Sequence, residues 1–265
     1  MSALLFDKSG HVVTLTINRP DSRNPLGEEG DGDLFAEAAA RINADREVRC
    51  VILTGAGKAF SAGGNLKSMR ERSGSFSGVG VHLRERYRNG IHRMVRALWT
   101  LEVPMIAAVN GPAIGLGNDV ACLADMRIAA DSAIFGATFL KIGLVPGDGG
   151  AWILPRTIGH ARAAELFFTG DTIDAQTALA WGLVSKVVSG QTLMDEAMAL
   201  AARVCRQPPD VLRMTKKLMR EGQMTSFDTI MEMSAAAQAL AHLTSDHAEA
   251  VAAFFEKRQG AYKGS

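Results

Sequence analysis

The chain has 265 residues, enough to bury a sizeable core as one large domain or as a main domain with a smaller appendage. Its 29 lysines and arginines balance 28 aspartates and glutamates without a long run of either sign, which argues against a nucleic-acid partner or an anionic membrane surface. The three cysteines lie far apart, which indicates reduced, buried thiols and neither a disulfide framework nor a metal site.

From the N-terminus onward, short apolar runs alternate with helical segments. Residues 1–13 lack the basic and apolar stretches of a signal peptide, and no apolar run reaches the roughly 18 residues of a membrane span. We therefore expect a cytoplasmic protein. Residues 11–18 ("HVVTLTIN") predict a strand, residues 34–45 a helix and residues 50–55 ("CVILTG") a buried strand.

The same alternation continues through the middle of the chain. Residues 81–101 have the spacing of a long amphipathic helix, which Pro104 interrupts ahead of a buried strand at 105–111. Two further short strands are predicted at 126–130 and 183–188, each after a helical segment. Alternation of this kind predicts an α/β fold with substantially buried sheets.

Past residue 190 the strand signal ends and only helices are predicted. They cover residues 192–206, 209–221, about 225–243 and 246–258. Ser245 and Asp246 supply a candidate N-cap for the last helix. The tail has more apolar surface than a thin appendage can hide, and it is open whether the parent domain or another subunit covers it. We expect a core over residues 1–190 and a helical region over residues 191–265, with oligomerisation as its expected role.

Two glycine-bearing turns follow predicted strands. They are "LTGAGKAFSAGGNLK" (53–67) and "AVNGPAIGLGNDV" (108–120), and neither fits a dinucleotide-binding or P-loop template. Glycine lets a ligand approach the backbone closely, and the first N–H groups of the helix opened by "GLGND" have no partner within it. Such turns are able to form an oxyanion hole, although either one alone is more simply a tight turn between packed elements.

Taken together, these motifs resemble the crotonase superfamily, the fold of enoyl-CoA hydratases and isomerases. The resemblance runs in order from "INRPDSRNPL" (17–26) to "AAELFFTGDTIDAQTALAWGLVSKVV" (163–188) and covers nearly the whole chain. It implies a spiral of ββα units, a C-terminal helical region that packs between subunits, and a homotrimer or dimer of trimers. It also implies an acyl-CoA thioester substrate, and no cofactor is expected beyond the CoA that this substrate carries.

The resemblance further implies that two backbone N–H groups hold the thioester oxygen as it becomes an enolate. By motif these belong to Gly64 in "SAGGNLK" and Leu116 in "GLGND". The candidate residues for binding the CoA ester are Ala62, Gly63, Asn65, Leu66, Lys67 and Gly115. Phe139 and Trp152 are interpreted as apolar walls of the acyl pocket or as core residues.

Hydratases of the superfamily use two glutamates, and this chain departs from that pattern at both positions. The first position holds Asp119, one methylene shorter, and the second holds Phe139, which cannot move a proton. Isomerases of the superfamily often present an acid in the "GLVPGDGG" turn (143–150), at a position that aligns with Gly147. Here the acid stands one residue later, at Asp148.

Asp119 and Asp148 are therefore the predicted catalytic residues, with Asp119 as principal acid or base and Asp148 assisting. Each also has a simpler interpretation, since an acid in a first helical turn stabilises the helix dipole and an aspartate in a tight turn bonds its own backbone. If both face the thioester, repulsion and desolvation raise at least one pKa, which makes an acid and base pair competent near neutral pH. His92, on the predicted long helix, could point to the pocket because histidine titrates near neutrality, but a surface or core position is the favoured interpretation.

The sequence thus predicts an enzyme of the enoyl-CoA hydratase/isomerase type. Isomerisation is favoured relative to hydration, because one acid can transfer a proton between two carbons, whereas the addition of water usually needs a second group to orient the water. The alternative is a catalytically idle CoA-ester binder or assembly subunit with the same fold, which the missing second glutamate leaves open.

Overall fold

The computed structural model describes residues 2–264. The strands within these residues are β1 (Leu4–Ser9), β2 (Val12–Ile17), β3 (Cys50–Gly55), β4 (Met105–Val109), β5 (Ala113–Ile114), β6 (Met126–Ala130), β7 (Ile134–Gly136), β8 (Thr172–Asp174) and β9 (Lys186–Val188). The α-helices are α1 (Asp31–Ala44), α2 (Leu66–Glu71), α3 (Gly80–Asn89), α4 (Ile91–Trp99), α5 (Leu116–Leu123), α6 (Gly150–Ile158), α7 (His160–Thr169), α8 (Ala175–Ala180), α9 (Leu193–Cys205), α10 (Pro209–Glu221), α11 (Phe227–His242) and α12 (Ser245–Phe255). The predicted strands at 50–55 and 126–130 and the predicted helix at 209–221 are confirmed with the same bounds.

Six strands form the main sheet, in the order β1-β2-β3-β4-β6-β9. β1 and β2 pair antiparallel, whereas every later pair is parallel. All residues of β3 and β4 are buried, as expected of parallel strands that are covered on both faces and therefore read as continuous apolar runs. The α/β prediction is confirmed by this sheet.

The two faces of the main sheet belong to separate buried clusters. Successive residues of a strand point to opposite faces, so Val51 and Leu53 of β3 join the larger cluster and Ile52 joins the smaller one. The larger cluster contains residues of α1, α4 and α5. The smaller one is closed by α9, whose residues Leu193, Ala197 and Ala201 recur every four positions and so share one helix face.

A second sheet of three short strands stands beside the main one, in the order β5-β7-β8. β5 pairs parallel with β7, through Ala113 opposite Phe135, and β7 pairs antiparallel with β8. Because β5 leads directly into α5, this small sheet fixes the place where α5 begins.

The predicted helix at 81–101 is wrong as a single element, because the chain breaks it at Gly90 into α3 and α4. The backbone of Gly90 has φ −103° and ψ −89°, which is not helical. α4 buries Met94 and Leu98 in the core beside α1, whereas α3 buries none of its residues. The break lets α4 follow the core while α3 crosses the face where the candidate site lies.

The predicted N-cap of the last helix is also corrected. The Thr244 side chain accepts the hydrogen bond from the His247 N–H at 3.1 Å, so the cap lies one residue before the predicted pair. Asp246 is buried and instead accepts from the N–H groups of Lys263 and Gly264, at 2.8 and 2.9 Å. It thereby ties the end of the chain to α12.

The C-terminal helices are anchored to the core through α10. Lys216 of α10 is buried, donates to the carbonyl oxygen of Val103 at 2.7 Å and forms an ion pair with Asp125 at 2.7 Å. The division near residue 190 stays a prediction, and we note that α9 packs on the sheet whereas α11 buries no residue. Within residues 2–264 no helix is both long and apolar enough to cross a bilayer, and the cytoplasmic location stays a prediction.

Candidate active site

The two glycine-bearing turns lie side by side. The Ser61 N–H donates to the Pro112 carbonyl at 3.0 Å, and the Ile114 N–H donates to the Ser61 carbonyl at 2.9 Å. Between them Gly63 has φ +85°, and a methyl group there would overlap the Ile114 carbonyl oxygen and lie 3.4 Å from the Leu116 nitrogen. Only glycine permits this approach, which brings the two backbones together.

Each turn presents one backbone N–H without a protein partner. Leu116 is the first residue of α5, so its N–H has no partner within the helix. Gly115 before it has φ +54° and ψ −121°, a conformation that L-residues rarely adopt. Gly64 bridges to Leu26, yet within the described residues its own N–H makes no turn or loop hydrogen bond. Both N–H groups are thus free to bind an oxyanion.

A cavity of about 120 Å³ lies against these two turns. Its wall is mostly apolar and includes Ala62, Gly63, Gly64, Leu66, Met69, Phe76, Tyr87, Ile91, Ile114, Gly115, Leu116, Phe139, Leu144 and Val145. Phe139 stands near Gly115, where a methyl group would lie 3.7 Å from its ring. Asp148 is the one carboxylate among the cavity's described lining residues.

Asp119 lies behind Asp148, away from the cavity surface. Asp119 is 1% exposed and Asp148 is 5% exposed, so both carboxyl groups are removed from water. Asp119 sits against the Cα of Gly150, where any side chain would overlap its carboxyl group. The GLVPGDGG turn therefore directs Asp148 toward Asp119, and Gly150, the last residue of the turn, leaves room for the Asp119 carboxyl group.

The carboxyl groups of Asp119 and Asp148 are hydrogen-bonding neighbours. Asn118 donates to Asp119 Oδ1 at 3.2 Å, but Asp119 Oδ2 and Asp148 Oδ1 find no donor elsewhere among the described residues. Two carboxylates in contact repel each other, whereas one carboxyl group and one carboxylate form a strong hydrogen bond. The pair is accordingly able to hold one proton between two acids.

The environments of the two acids decide which one holds that proton. Burial, and then the negative charge of Asp148, raise the pKa of Asp119 well above its ordinary range. Burial also raises the pKa of Asp148, but the hydrogen bond from Asp119, nearby N–H groups and His92 oppose that effect. These opposing effects favour the proton on Asp119 and the negative charge on Asp148, whose side chain lines the cavity.

Two residues on the α3–α4 corner complete the site: Tyr87 was not predicted, and a pocket position for His92 was only the less favoured alternative. The Nε2–H of His92 donates to the Gly147 carbonyl at 2.7 Å and so holds the turn that carries Asp148. Tyr87 lines the cavity with its ring edge-on to that of His92, at a centroid distance of 6.2 Å. The only signal in the sequence was their place on one predicted helix, which did not reveal the turn at Gly90.

The remaining candidate binding residues take several roles. Asn65 caps α2 by accepting from the Lys67 and Ser68 N–H groups at 3.0 and 3.2 Å, and its amide donates to Glu28 at 2.6 Å. The Lys67 side chain is exposed, and Leu66 lies on the cavity wall. Segment 62–67 therefore stays a candidate CoA-binding edge.

The interpretation of Trp152 as a possible wall of the acyl pocket is not supported by its position. Its ring packs edge-on against Trp99 at 5.3 Å, with the Arg156 guanidinium 4.1 Å above it. Trp152 lines a separate depression together with Val95 and Trp99 of α4. It is partly buried and packs against the larger core cluster, in keeping with the alternative interpretation as a core residue.

Among the described residues, no three His, Cys, Asp or Glu side chains form a cluster that could hold a metal ion. Cys50 and Cys122 are buried free thiols, and Cys205 is partly buried. Burial raises the pKa of the Cys122 thiol to about 12, so this neighbour of the Asp119 helix turn remains protonated and unreactive near neutral pH.

Comparison with known proteins gives a consistent result across the chain. A family model described as Enoyl-CoA hydratase/isomerase matches residues 7–265. The chain is 38% identical to the 1,2-epoxyphenylacetyl-CoA isomerase of Escherichia coli (strain K12), over 96% of this chain and 95% of that protein. It is 35% identical to the short-chain-enoyl-CoA hydratase of Clostridium acetobutylicum, over 98% and 97% of the two chains.

A solved structure agrees with these relatives in fold. The structure of an enoyl-CoA hydratase from Bacillus anthracis has a TM-score of 0.92 with this chain, at 34% identity and covering 100% of both chains. The names of the relatives include both isomerases and hydratases, so their similarity does not by itself choose between the two reactions.

Proposed function

The chain belongs to the enoyl-CoA hydratase/isomerase family, and on that premise we propose that it moves a double bond within an enoyl-CoA thioester by shuttling a proton through Asp148. The predicted resemblance and fold are confirmed by the family match. The observation that carries the finer proposal is the buried pair of carboxyl groups, with Asp148 on the cavity wall and Asp119 behind it.

The reaction uses backbone donors and one mobile proton. The thioester oxygen accepts hydrogen bonds from the Gly64 and Leu116 N–H groups, which stabilise it as it becomes an enolate. Asp148 takes a proton from a carbon next to the double bond, so that a C–H bond breaks and an O–H bond forms. The electrons shift through the enolate, and Asp148 returns the proton to another carbon.

Asp119 supports this step without touching the substrate. Its O–H donates to the Asp148 carboxylate, which steadies the charge of Asp148 before it takes a proton and orients it toward the cavity. This division of roles differs from the sequence-based expectation, in which Asp119 was the principal acid or base. Isomerisation is favoured over hydration because Phe139 occupies the position of the second glutamate and leaves no second acid to orient water.

The direct test is turnover by the purified protein. The conversion of a 3-enoyl-CoA to its 2-enoyl isomer is measured through the absorbance of the enoyl thioester. We expect the kcat of this conversion to fall about 10²- to 10⁴-fold in Asp148→Asn. Asp131→Asn, a matched change at an exposed aspartate, should leave kcat unaltered. Tight binding of CoA esters with no turnover of 3-enoyl-CoA or crotonyl-CoA would instead support the idle binder.

We also propose that the protein assembles as a homotrimer or dimer of trimers. Large apolar side chains stay exposed on the last two helices and the turn between them, and they include Phe227, Leu243, Phe254 and Phe255. Exposed apolar patches of this kind commonly mark protein interfaces. Light scattering gives the mass in solution, and a monomer at micromolar concentration would contradict the assembly.

A further inference from the structure

Tyr87 brings a polar group to the cavity wall with no protein partner. It is half-buried on α3, and its ring is held edge-on by Phe76 and His92 at centroid distances of 6.4 and 6.2 Å. Within residues 2–264, its phenol oxygen makes no hydrogen bond to another side chain or to the backbone. The hydroxyl keeps contact with solvent and is not engaged by the protein, so it is available to a ligand.

The surroundings of Tyr87 keep its hydroxyl in the form that donates. Burial, followed by the negative charge of Asp148, raises the pKa of Tyr87. The other described side chains that line this cavity are mostly apolar, and the competing hydroxyl donor among them is that of Thr138. The ring contacts with Phe76 and His92 also limit how far the hydroxyl can turn away.

We propose that Tyr87 is a specificity-determining residue whose hydroxyl donates a hydrogen bond to an oxygen atom on the acyl group. The site would then favour acyl-CoAs with a hydroxyl on the β- or γ-carbon over plain acyl-CoAs. The position follows from the layout of the cavity, in which Gly64 and Leu116 hold the thioester end and Tyr87 lies near Asp148, where the proton moves. The proposal rests on the proposed function for the CoA ester, but it does not require turnover.

The test compares the dissociation constants of saturated ligands by isothermal titration calorimetry. The probes are butyryl-CoA, 3-hydroxybutyryl-CoA and 4-hydroxybutyryl-CoA, which contain no double bond to move. We expect at least one hydroxylated ligand to bind the natural protein about fivefold to tenfold more tightly than butyryl-CoA, as one hydrogen bond in a protected site allows. In Tyr87→Phe, which removes only the hydroxyl oxygen, this preference should disappear.

The readout is a ratio within each protein, so a general change in affinity cancels. Tyr262→Phe, a matched change at the chain's other tyrosine, should keep the preference. No preference in the natural protein, or a preference that survives in Tyr87→Phe, would overturn the proposal. Since plain 3-enoyl-CoA turnover and Asp148→Asn test the proposed function separately, either hypothesis can fail without the other.

Discussion

The buried pair of Asp119 and Asp148 is the main feature at the residue scale. When two carboxyl groups lie in contact, each one shifts the pKa of the other, as in other paired carboxylic acids. The donor that Asp119 supplies to Asp148 can be replaced by an amide N–H, whereas the base that Asp148 supplies cannot. The two aspartates should therefore respond differently to the same substitution.

We predict that Asp119→Asn is the milder of the two amide variants. Its amide still donates to Asp148, so kcat for 3-enoyl-CoA isomerisation should fall only about tenfold, against 10²-fold or more in Asp148→Asn. Steady-state kinetics of both variants on one substrate check this order. If Asp119→Asn were the more damaging change, Asp119 would be the acid that meets the substrate, as the sequence first suggested.

The residues of the site were predictable to the extent that their roles depend on local sequence. Gly64, Leu116 and Asp148 were named through motifs shared with the superfamily, and their roles stay predictions. Tyr87 and His92 meet the site through a tertiary contact between a helix corner and a distant turn. No spacing within one segment encodes such a contact, so Tyr87 was missed and a pocket position for His92 was not the favoured interpretation.

At the scale of elements, the α3–α4 corner holds the GLVPGDGG turn. The bond from His92 to the Gly147 carbonyl fixes the residue immediately before Asp148. A small displacement of a catalytic group costs much of the rate, so the corner acts on the reaction by positioning.

We predict that His92→Phe, which keeps a ring of similar size but no donor, lowers kcat about 10- to 100-fold with a smaller change in KM. His92→Gln retains a donor on a side chain of similar length, so it should recover most of that loss. Steady-state kinetics of both variants give the comparison. Equal loss in both, or a loss confined to KM, would show that His92 only shapes the cavity wall.

An element was predictable where its own sequence determines its structure, and not where its structure depends on pairing with distant segments. The bounds of β3 and β6 followed from the sequence, because each strand is a short, largely apolar run. β5, β7 and β8 have two or three residues each, too few for a periodic signal, and they exist because they pair with one another. The break at Gly90 was missed because α3 and α4 each keep helical spacing.

At the scale of the whole molecule, a buried charge joins the C-terminal helices to the core. Burial lowers the pKa of Lys216 from 10.5 to about 8, although Asp125 opposes this effect. Between those pH values the unfolded chain holds a proton that the folded chain has released. The free energy of unfolding should therefore rise with pH across this window, by up to about 3 kcal/mol.

We predict that Lys216→Met removes this rise. Urea unfolding at matched protein concentration, between pH 7.5 and 10, measures the slope for each protein, and the difference isolates Lys216 from other groups that titrate there. Lys217→Met, an exposed neighbour on α10, should keep the slope of the natural protein. The same slope in Lys216→Met and the natural protein would contradict the link between this buried charge and stability.

The close approach of Gly63 to the Ile114 carbonyl has a consequence for how the protein can diverge. The groups proposed to stabilise charge are main-chain atoms, fixed by backbone hydrogen bonds between two turns. The groups that shape the acyl cavity are side chains such as Met69, Phe76 and Tyr87. Substitutions can therefore exchange one substrate for another over evolutionary time while the means of activating the thioester is inherited unchanged.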